Sequence, residues 1–539
     1  MVLTSLLAAT PATFQGNMRR IRSLTFLLVL LPGAAGGWVL HGMLPESGAR
    51  LFAQVLQIVG KDALDNVSQD ELYRRAARGL IDQLQDDYAE LYSPQQLAAF
   101  SREQLGASYG GLGMQIEDQQ GTATVTRVFP GTPAERGGVL PGDRVLGVAG
   151  ESVRGVRLDE VSSRLLGTPG TKVDVTFSRA GVVQPITGTF TRAVVHMPAV
   201  PYTLMFHGNV GYIPLQKFNE TATEDVRAAL RSLQARGAKS YVLDVRGNGG
   251  GSLEEALNIS NLFLPAGQEI ARVEYRARQP DIYTARALTV TTDAPLIVLT
   301  DGFSASASEI VAGALQDHDR ALVLGSRSFG KGLVQQIYSL DGGWALKLTT
   351  GKWFTPSGRS IQRDRDSTGA PVAAASAETQ VFRSDSGRPI QGGGGITPDL
   401  LIEPDTMASV EQAFMRAIGP QAQQVYVMIY DQALKLKAGT GANFTVRPEW
   451  RAELFDQLVA AGVPVSRQQF DAATPLIDRL IEQRLAGLAF GDSASFRRFA
   501  PHDAQLRAAI EILEQGRTQG DVFAIAERNP AYRPVIKGH

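Results

Sequence analysis

Two short segments of the sequence carry residue types that could together perform acyl transfer. Ser306 lies in residues 304–310, where a predicted strand turns into a helix, and Lys331 lies between Gly330 and Gly332. A serine hydroxyl beside a neutral lysine amine can attack a carbonyl without a histidine. The first backbone amides of a helix have no partner within it, so the amide of Ala307 could donate a hydrogen bond to the developing oxyanion. The lysine must be buried among apolar neighbours to lose its proton near neutral pH.

Each of these features also has a purely structural interpretation. Ser304, Ser306 and Ser308 could simply cap a helix, and a lone lysine in a glycine-rich turn is more often solvated. Residues 325–331 have the glycine and lysine spacing of a phosphate loop, but Gly332 replaces the Ser or Thr that would hold magnesium. A trypsin-like nucleophile loop is excluded at residues 247–250, because Gly249 stands in the place of the serine.

The composition narrows the class of protein. The chain has 539 residues, which is too long for one hydrophobic core, so we expect three or four domains. A formal net charge of −1 gives no indication of nucleic-acid binding. The absence of cysteine excludes a thiol nucleophile, a disulfide framework and a zinc–thiolate site. None of the six histidines lies in a recognisable catalytic motif.

The N-terminal residues 1–43 have the pattern of an export signal or membrane anchor. Arg19, Arg20 and Arg22 precede the apolar run 24–31, and small residues follow up to Gly37. A basic region, a short apolar stretch and small residues are typical of secretion signals. We therefore expect an exported protein of the cell envelope or periplasm. The pattern leaves open whether the signal is cleaved or stays as an inner-membrane anchor.

The remaining sequence divides by its pattern into four regions. Residues 44–104 read as helices. Residues 105–192 read as short strands with glycine turns and resemble a PDZ domain of the bacterial protease type. Residues 193–405 alternate strands, glycine turns and helices, as a largely parallel sheet does. Residues 363–395 within them read as a surface insertion, and residues 406–539 read as a C-terminal helical domain.

The resemblance to a PDZ domain implies a peptide-binding role. Such domains use backbone amides of a glycine-rich loop to hold a terminal carboxylate while the peptide adds a strand. The corresponding loop here is Gly111, Leu112, Gly113 and Met114. The expected partners are proteins or peptides with free C-termini.

The C-terminal helices predict either a bundle or an assembly surface. Apolar residues recur on more than one face of a single helix, at Leu476, Ile477, Leu480, Ile481, Leu485 and Leu488. Such a helix must be covered by its own domain, by another copy of the chain or by an adaptor. Both interpretations remain open at the level of the sequence.

Several motifs in order resemble the carboxyl-terminal processing, or tail-specific, proteases of the S41 serine peptidases. They are the PDZ-like segment and residues 244–251, 304–310, 329–335, 355–361 and 395–399. The resemblance implies Ser306 as nucleophile, Lys331 as general base and Gln335 as the residue that orients the lysine. It also implies an α/β core of the ClpP/crotonase type with an inserted PDZ domain.

The prediction is therefore a serine endopeptidase with a Ser–Lys dyad that cleaves proteins near their C-termini. Ala307, with Gly250 and Gly251 of the glycine loop, is predicted to hold the oxyanion. No metal or other cofactor is expected. The alternative is a catalytically inactive PDZ adaptor that only binds protein tails.

Overall fold

The computed structural model describes residues 46–529 except 102–105, 107, 120, 130, 180–181, 287–288, 292 and 364–379. The predicted export segment, residues 1–43, lies outside the described residues. Among the residues that are described, no helix is both long and apolar enough to cross a lipid bilayer. The chain divides into two compact units, Met1–Gln85 and Asp86–His539.

The described residues of the first unit, from Glu46 onward, form two helices, as the apolar periodicity predicts. They are α1 (Glu46–Asp62) and α2 (Gln69–Asp82). Ser68 begins the second helix because its hydroxyl accepts a hydrogen bond from the amide of Glu71 at 3.3 Å.

The second unit begins with a short strand that belongs to one of the core sheets. Strand β1 (Glu90–Tyr92) was not predicted, and helix α3 (Pro94–Phe100) follows it behind a Ser93 capping box. Later in the chain, Leu346 pairs with Leu91 of this strand. The core sequence therefore starts before the PDZ-like segment, which makes that segment an insertion.

The inserted segment has the strand-rich architecture that its glycine turns predict. Its elements are β2 (Ser108–Gly111), β3 (Met114–Gln119), β4 (Thr122–Val128), α4 (Pro133–Arg136), β5 (Arg144–Val148), β6 (Glu151–Ser152), α5 (Leu158–Leu165), β7 (Lys172–Ser178), β8 (Ile186–Thr191) and β9 (Ala193–His196). The main sheet has the order β3–β4–β5–β7–β8, with β6 on β5. Strands β2 and β9 pair with each other and form the two-stranded connection to the core.

The core is built on a largely parallel six-stranded sheet. Its strands, in spatial order, are β10 (Leu204–Phe206), β11 (Val210–Pro214), β12 (Ser240–Asp244), β15 (Leu296–Thr300), β16 (Leu322–Gly325) and β21 (Leu400–Leu401). All neighbours are parallel except the first pair. The strand ends of β12 and β15 therefore lie side by side, which brings the glycine loop after Asp244 next to the serine segment.

A second, antiparallel sheet carries the lysine and glutamine. Its strands are β13 (Glu269–Tyr275), β14 (Asp281–Thr284), β17 (Leu333–Ser339) and β18 (Ala345–Phe354), together with β1. Strand β17 pairs with β18 with Gln335 opposite Thr349. Lys331 lies two residues before the start of β17.

Helices cover both faces of the six-stranded sheet, and one of these layers comes from the end of the chain. Helices α6 (Ala222–Ala235), α7 (Leu253–Asn261) and α8 (Ala307–Asp317) share one apolar cluster with the sheet. On the other face, α15 (Ala504–Gln515) and α16 (Gln519–Glu527) pack through residues such as Leu506 and Val522 against Leu299 and Leu324. The segment predicted as a single helical domain, residues 406–539, thus contributes to two different cores.

The other C-terminal helices form a bundle with its own core. They are α9 (Ser409–Ile418), α10 (Ala422–Leu436), α11 (Pro448–Ala460), α12 (Arg467–Ala472), α13 (Thr474–Phe490) and α14 (Asp492–Phe499). The six apolar residues of α13 that suggested either a bundle or an assembly surface all lie in or against this core. The burial therefore favours the bundle.

The predicted surface insertion is partly a docked hairpin. Strands β19 (Val381–Arg383) and β20 (Pro389–Gln391) pair with each other. Arg388 binds the carboxylates of Asp319 and Asp399, and His318 bonds to Asp385. The largely buried ion pairs of Arg388 and the hydrogen bond of His318 hold the second half of residues 363–395 on the core. Residues 364–379 lie outside the described residues.

Candidate active site

The serine segment presents Ser306 in a strained backbone conformation. Strand β15 ends at Thr300, and α8 begins at Ala307 directly after Ser306. Ser306 has φ 55° and ψ −111°, a left-handed value that non-glycine residues rarely adopt. Such strain persists only where surrounding contacts hold it, and it is concentrated at functional sites. Ser306 is half-buried and lines a cleft of about 790 Å³ that also contains Lys331 and Gln335.

The two flanking serines have a different role. Ser304 and Ser308 are fully buried, and their hydroxyls donate to the carbonyls of Val245 and Asn248, both at 2.8 Å. The amide of Ala305 also donates to the Asn248 carbonyl, at 3.0 Å. These bonds fasten the serine segment to the glycine loop, and they leave Ser306 as the serine of this segment that lines the cleft.

The glycine loop lies directly against Ser306 and Ala307. A Cβ added to Gly250, whose φ is +99°, would lie 2.9 Å from the Ser306 Cβ and 3.0 Å from the Ala307 nitrogen, so only glycine fits. The Gly250 amide already donates to Asn248 Oδ1 at 3.0 Å. The amides of Ala307 and Gly251 make no hydrogen bond within the described part of the chain. The geometry thus favours Ala307 and Gly251 over Gly250 as oxyanion donors, and the assignment stays a prediction.

Lys331 lies in a partly closed cleft with aromatic and aliphatic neighbours and with a second lysine, Lys347, in the same cleft. Its Nζ is 4.7 Å from the centre of the Tyr88 ring, and Trp353 and Val334 line the same cleft. Burial lowers the pKa of Lys331, repulsion from Lys347 lowers it further, and Glu309 opposes both effects. Desolvation favours the neutral amine, which is the form that can accept a proton.

Gln335 faces the cleft, whereas its neighbour does not. The Gln335 amide donates to Thr349 Oγ1 at 3.3 Å, and Asp86 accepts hydrogen bonds from both the hydroxyl and the amide of Thr349. Gln336 is exposed and accepts a bond from Tyr338. Successive side chains of a strand point to opposite faces, so β17 directs Gln335 to the cleft and Gln336 to solvent. The sequence spacing alone could not distinguish the two glutamines.

The sequence analysis missed the residue that connects the serine segment to the lysine segment, Glu309. Its carboxylate is fully buried and accepts four hydrogen bonds. The donors are Ser306 N at 2.7 Å, Lys331 N at 2.9 Å, Gly330 N at 2.7 Å and Ser328 Oγ at 2.6 Å. Burial raises the pKa of Glu309, and the four donors oppose that rise. The spacing of Ser306 and Glu309 is that of a capping box, which was the available signal.

The predicted carboxylate loop lies at the open edge of the PDZ sheet. Strand β3 begins at Met114 and has β4 on one side, with no strand on its other side among the described residues. Gly113 has φ +82°, and Leu112 is buried in the PDZ core. A free strand edge beside a glycine turn is the arrangement that strand addition by a peptide requires.

Comparison with known proteins agrees with this architecture. Residues 209–368 match peptidase family S41, and residues 102–178 match the PDZ domain. The "Carboxy-terminal processing protease CtpA" of Bacillus subtilis is 35% identical over 57% of this chain, and the match spans 65% of that protein, slightly less than two thirds. The "Carboxy-terminal-processing protease" of Bartonella bacilliformis is 35% identical over 65% of this chain and 74% of that protein.

Among the solved structures similar to this chain is that of the photosystem II D1 C-terminal processing protease. It is 27% identical to this chain in sequence, with a TM-score of 0.37. That likeness covers 68% of this chain and 91% of the other. The family assignment rests on the sequence matches, which agree with an α/β core, an inserted PDZ domain and helical ends. The chain therefore belongs to the carboxy-terminal processing proteases of peptidase family S41.

Proposed function

We propose that this chain is a serine endopeptidase that uses Ser306 and Lys331 to cleave protein substrates near their C-termini. The observation that carries the proposal is the Glu309 carboxylate, which binds the backbone of both residues and so fixes them in one cleft. Neutral Lys331 takes the hydroxyl proton as Ser306 attacks the scissile carbonyl, and Gln335 orients the amine. Ala307 and Gly251 donate to the oxyanion, and protonated Lys331 gives its proton to the leaving amine as the C–N bond breaks. Water, deprotonated by the same amine, then hydrolyses the acyl-enzyme.

The PDZ domain is proposed to select substrates by their free C-terminal carboxylate. Support comes from the open edge of β3 and the glycine turn at Gly113. Export is proposed from Arg19, Arg20 and Arg22 before the apolar run 24–31, which would deliver the enzyme to the cell envelope. Fractionation of the full chain and of a variant lacking residues 1–43 tests this, since only the full chain should be exported.

A serine-directed fluorophosphonate probe tests the catalytic proposal. The native protein should be labelled and should cleave a peptide, whereas Ser306→Ala should do neither while keeping its thermal unfolding temperature. Lys331→Arg should also be inactive, because arginine stays protonated. Activity should survive chelation and need no nucleotide. An unlabelled native protein that still binds free C-termini would identify the inactive adaptor instead.

A further inference from the structure

A buried polar network connects the end of the chain to the glycine loop. Arg246 immediately precedes Gly247 and binds Asp503 through two nitrogens, at 2.9 Å and 2.7 Å. Gln505 accepts a further bond from the same guanidinium, at 2.9 Å. Both residues come from the start of helix α15, 257 and 259 positions away in sequence.

The same guanidinium is held on its other side by the strand that leads into the loop. Asp244, the last residue of β12, accepts from Arg246 Nε at 2.9 Å and from Nη2 at 2.6 Å. Tyr212 donates to Asp244 at 2.8 Å. One arginine is therefore fixed between two carboxylates, and both carboxylates are nearly inaccessible to solvent, with Asp244 6% and Asp503 7% exposed.

The two buried carboxylates flank one guanidinium that is mostly buried, with 17% of the Arg246 side chain exposed, so the position of each group depends on the other two. Removing one member of a buried ion network leaves the others without compensation, which costs far more than the loss of a surface pair. Arginine also presents a rigid planar fork, so its contacts fix a direction as well as a distance. The contacts with Asp503 thus restrain the position and direction of the backbone between Arg246 and Gly247.

From Arg246 the restraint continues through the loop to Ser306. Gly247 N donates to the Asp301 carboxylate at 3.0 Å, and the Asn248 carbonyl accepts from the Ala305 amide at 3.0 Å. Gly250 then lies against Ser306 and Ala307. A shift at Arg246 would therefore move the backbone amides near the attacked carbonyl.

We infer that Asp503 and Gln505 are positioning residues for the oxyanion loop, which makes the start of helix α15 part of the catalytic unit. This inference rests on the proposed Ser–Lys hydrolysis. Asp503 and Gln505 touch no substrate and act through Arg246. Their loss should therefore slow the chemical step and leave substrate affinity unchanged.

The decisive variant is Asp503→Asn, with Asp405→Asn as its control. Asp503 also caps α15 by accepting from Leu506 N at 3.0 Å, and asparagine keeps that cap while removing the charge. Asp405 pairs with Arg507 of the same helix at 3.2 Å, but both side chains are exposed. The control thus removes an ion pair made by the same helix without touching Arg246.

Turnover is measured per active site, titrated with the fluorophosphonate probe. Asp503→Asn should lower kcat about tenfold to a hundredfold with KM unchanged within about twofold, somewhat less than removal of an oxyanion donor costs. The second-order rate of labelling should fall by a similar factor, because the phosphonyl oxygen occupies the oxyanion site. Asp405→Asn should match the native protein, and Asp503→Glu should restore part of the rate.

Other outcomes separate the alternatives. A native kcat per titrated site in Asp503→Asn, with only a lower unfolding temperature, would show a merely structural role and overturn the inference. A rise in KM alone would also overturn it. If Asp503→Asn folds poorly, Gln505→Met replaces it as the test variant. Its kcat should then also fall with KM unchanged, by a smaller factor than expected for Asp503→Asn. If the native protein is not labelled at all, the proposed function itself fails, independently of Asp503.

Discussion

At the scale of single residues, Glu309 is the side chain on which the catalytic geometry depends most. Its two oxygens accept from Ser306, Lys331, Gly330 and Ser328. Glu309→Gln keeps the shape of the side chain but replaces one carboxylate oxygen with an NH2 group. That group is a donor, and it would face two of the four hydrogen-bond donors that the carboxylate now accepts from. We expect a loss of about 1–3 kcal/mol in the free energy of unfolding for each buried group left unsatisfied.

Activity per folded molecule should also fall at least about a hundredfold in Glu309→Gln, because the strained turn at Ser306 loses the bond that holds its amide. Urea unfolding and peptide cleavage measure the two effects. Glu220→Gln, at an exposed position, is the matched control. Native activity in Glu309→Gln would show that Ser306 and Lys331 hold their positions without the carboxylate.

The burial of Lys331 should lower the free energy of unfolding of the protein near neutral pH. Burial and Lys347 lower the pKa of Lys331 below the ordinary 10.5, so in the window between the two values the unfolded chain binds more protons. Stability therefore rises with pH across that window. Lys331→Met should raise the unfolding temperature at pH 7, and its advantage should shrink as the pH approaches 10.5.

Thermal unfolding at both ends of the pH window measures this difference. Lys239→Met, at an exposed lysine, should show no such trend. An unfolding temperature for Lys331→Met that equals or falls below the native value at pH 7 would contradict the burial argument. In the native enzyme, kcat/KM should decline as the pH falls below the lowered pKa of Lys331, since only the neutral amine accepts a proton.

The sequence could propose Ser306 and Lys331 because their motifs are short and contiguous, and it could propose Gln335 only through the family resemblance. All three assignments stay predictions. The sequence could not reveal the function of Glu309, whose partners Gly330 and Lys331 lie 21 and 22 residues away. For Ser304 and Ser308 it indicated no role beyond helix capping. Their buried hydroxyls bond to the glycine loop, so alanine at either position should reduce activity.

At the scale of elements, the open edge of β3 makes a prediction about substrate tails. A free C-terminal peptide should bind about tenfold to a hundredfold more tightly than its amidated form, because charge-assisted bonds to backbone amides are lost in the amide. Fluorescence anisotropy with the Ser306→Ala protein measures both affinities without cleavage. Equal affinities would show that the carboxylate is not recognised.

A substitution at Gly113 is a poorer test of the same element. A Cβ there would lie 2.2 Å from the Cβ of Thr132, and the φ of +82° is unfavourable for other residues. Gly113→Val would therefore distort the turn itself. Loss of binding in that variant could not be assigned to the carboxylate.

The sequence predicted most elements correctly but could not assign helices to cores. Apolar residues at helical spacing predict an amphipathic helix whatever it packs against. Helices α13 and α15 both show such residues, yet Leu485 packs in the bundle and Leu506 packs on the sheet. Strand β1 was missed because three residues give too short a pattern, and its pairing partner comes from β18.

At the scale of the whole second unit, the C-terminal helices cannot be removed as an accessory. Truncation after Asp405 would uncover the face of the sheet that Leu506, Ala509 and Leu513 cover. Exposing apolar surface of that extent should unfold the core, so truncation is no test of assembly. The role of these helices in oligomers or adaptor binding stays a prediction that needs point variants.

The bundle also contacts the PDZ domain, which gives it a second task. Tyr430 of α10 donates to the Val125 carbonyl at 3.0 Å. On the next turn of the same helix, the Leu434 side chain fills the space where a Cβ of Gly142 would lie. Both contacts join α10 to the PDZ domain, so we expect the bundle to restrain β3 relative to the cleft that contains Ser306.

Weakening this contact should uncouple tail recognition from cleavage. In Tyr430→Phe combined with Leu434→Ala, the advantage of a substrate with a free C-terminus over its amidated form should shrink about threefold to tenfold, since each lost contact contributes on the order of 1 kcal/mol. Cleavage of a short peptide that does not reach the PDZ domain should be unchanged, because the catalytic cleft is untouched. Lys435→Ala, at an exposed neighbour on the same helix, should behave as the native enzyme does. Equal losses with all three substrates would instead indicate that α10 only stabilises the fold, and an undiminished free-acid advantage would show that the PDZ domain is positioned by the β2–β9 connection alone.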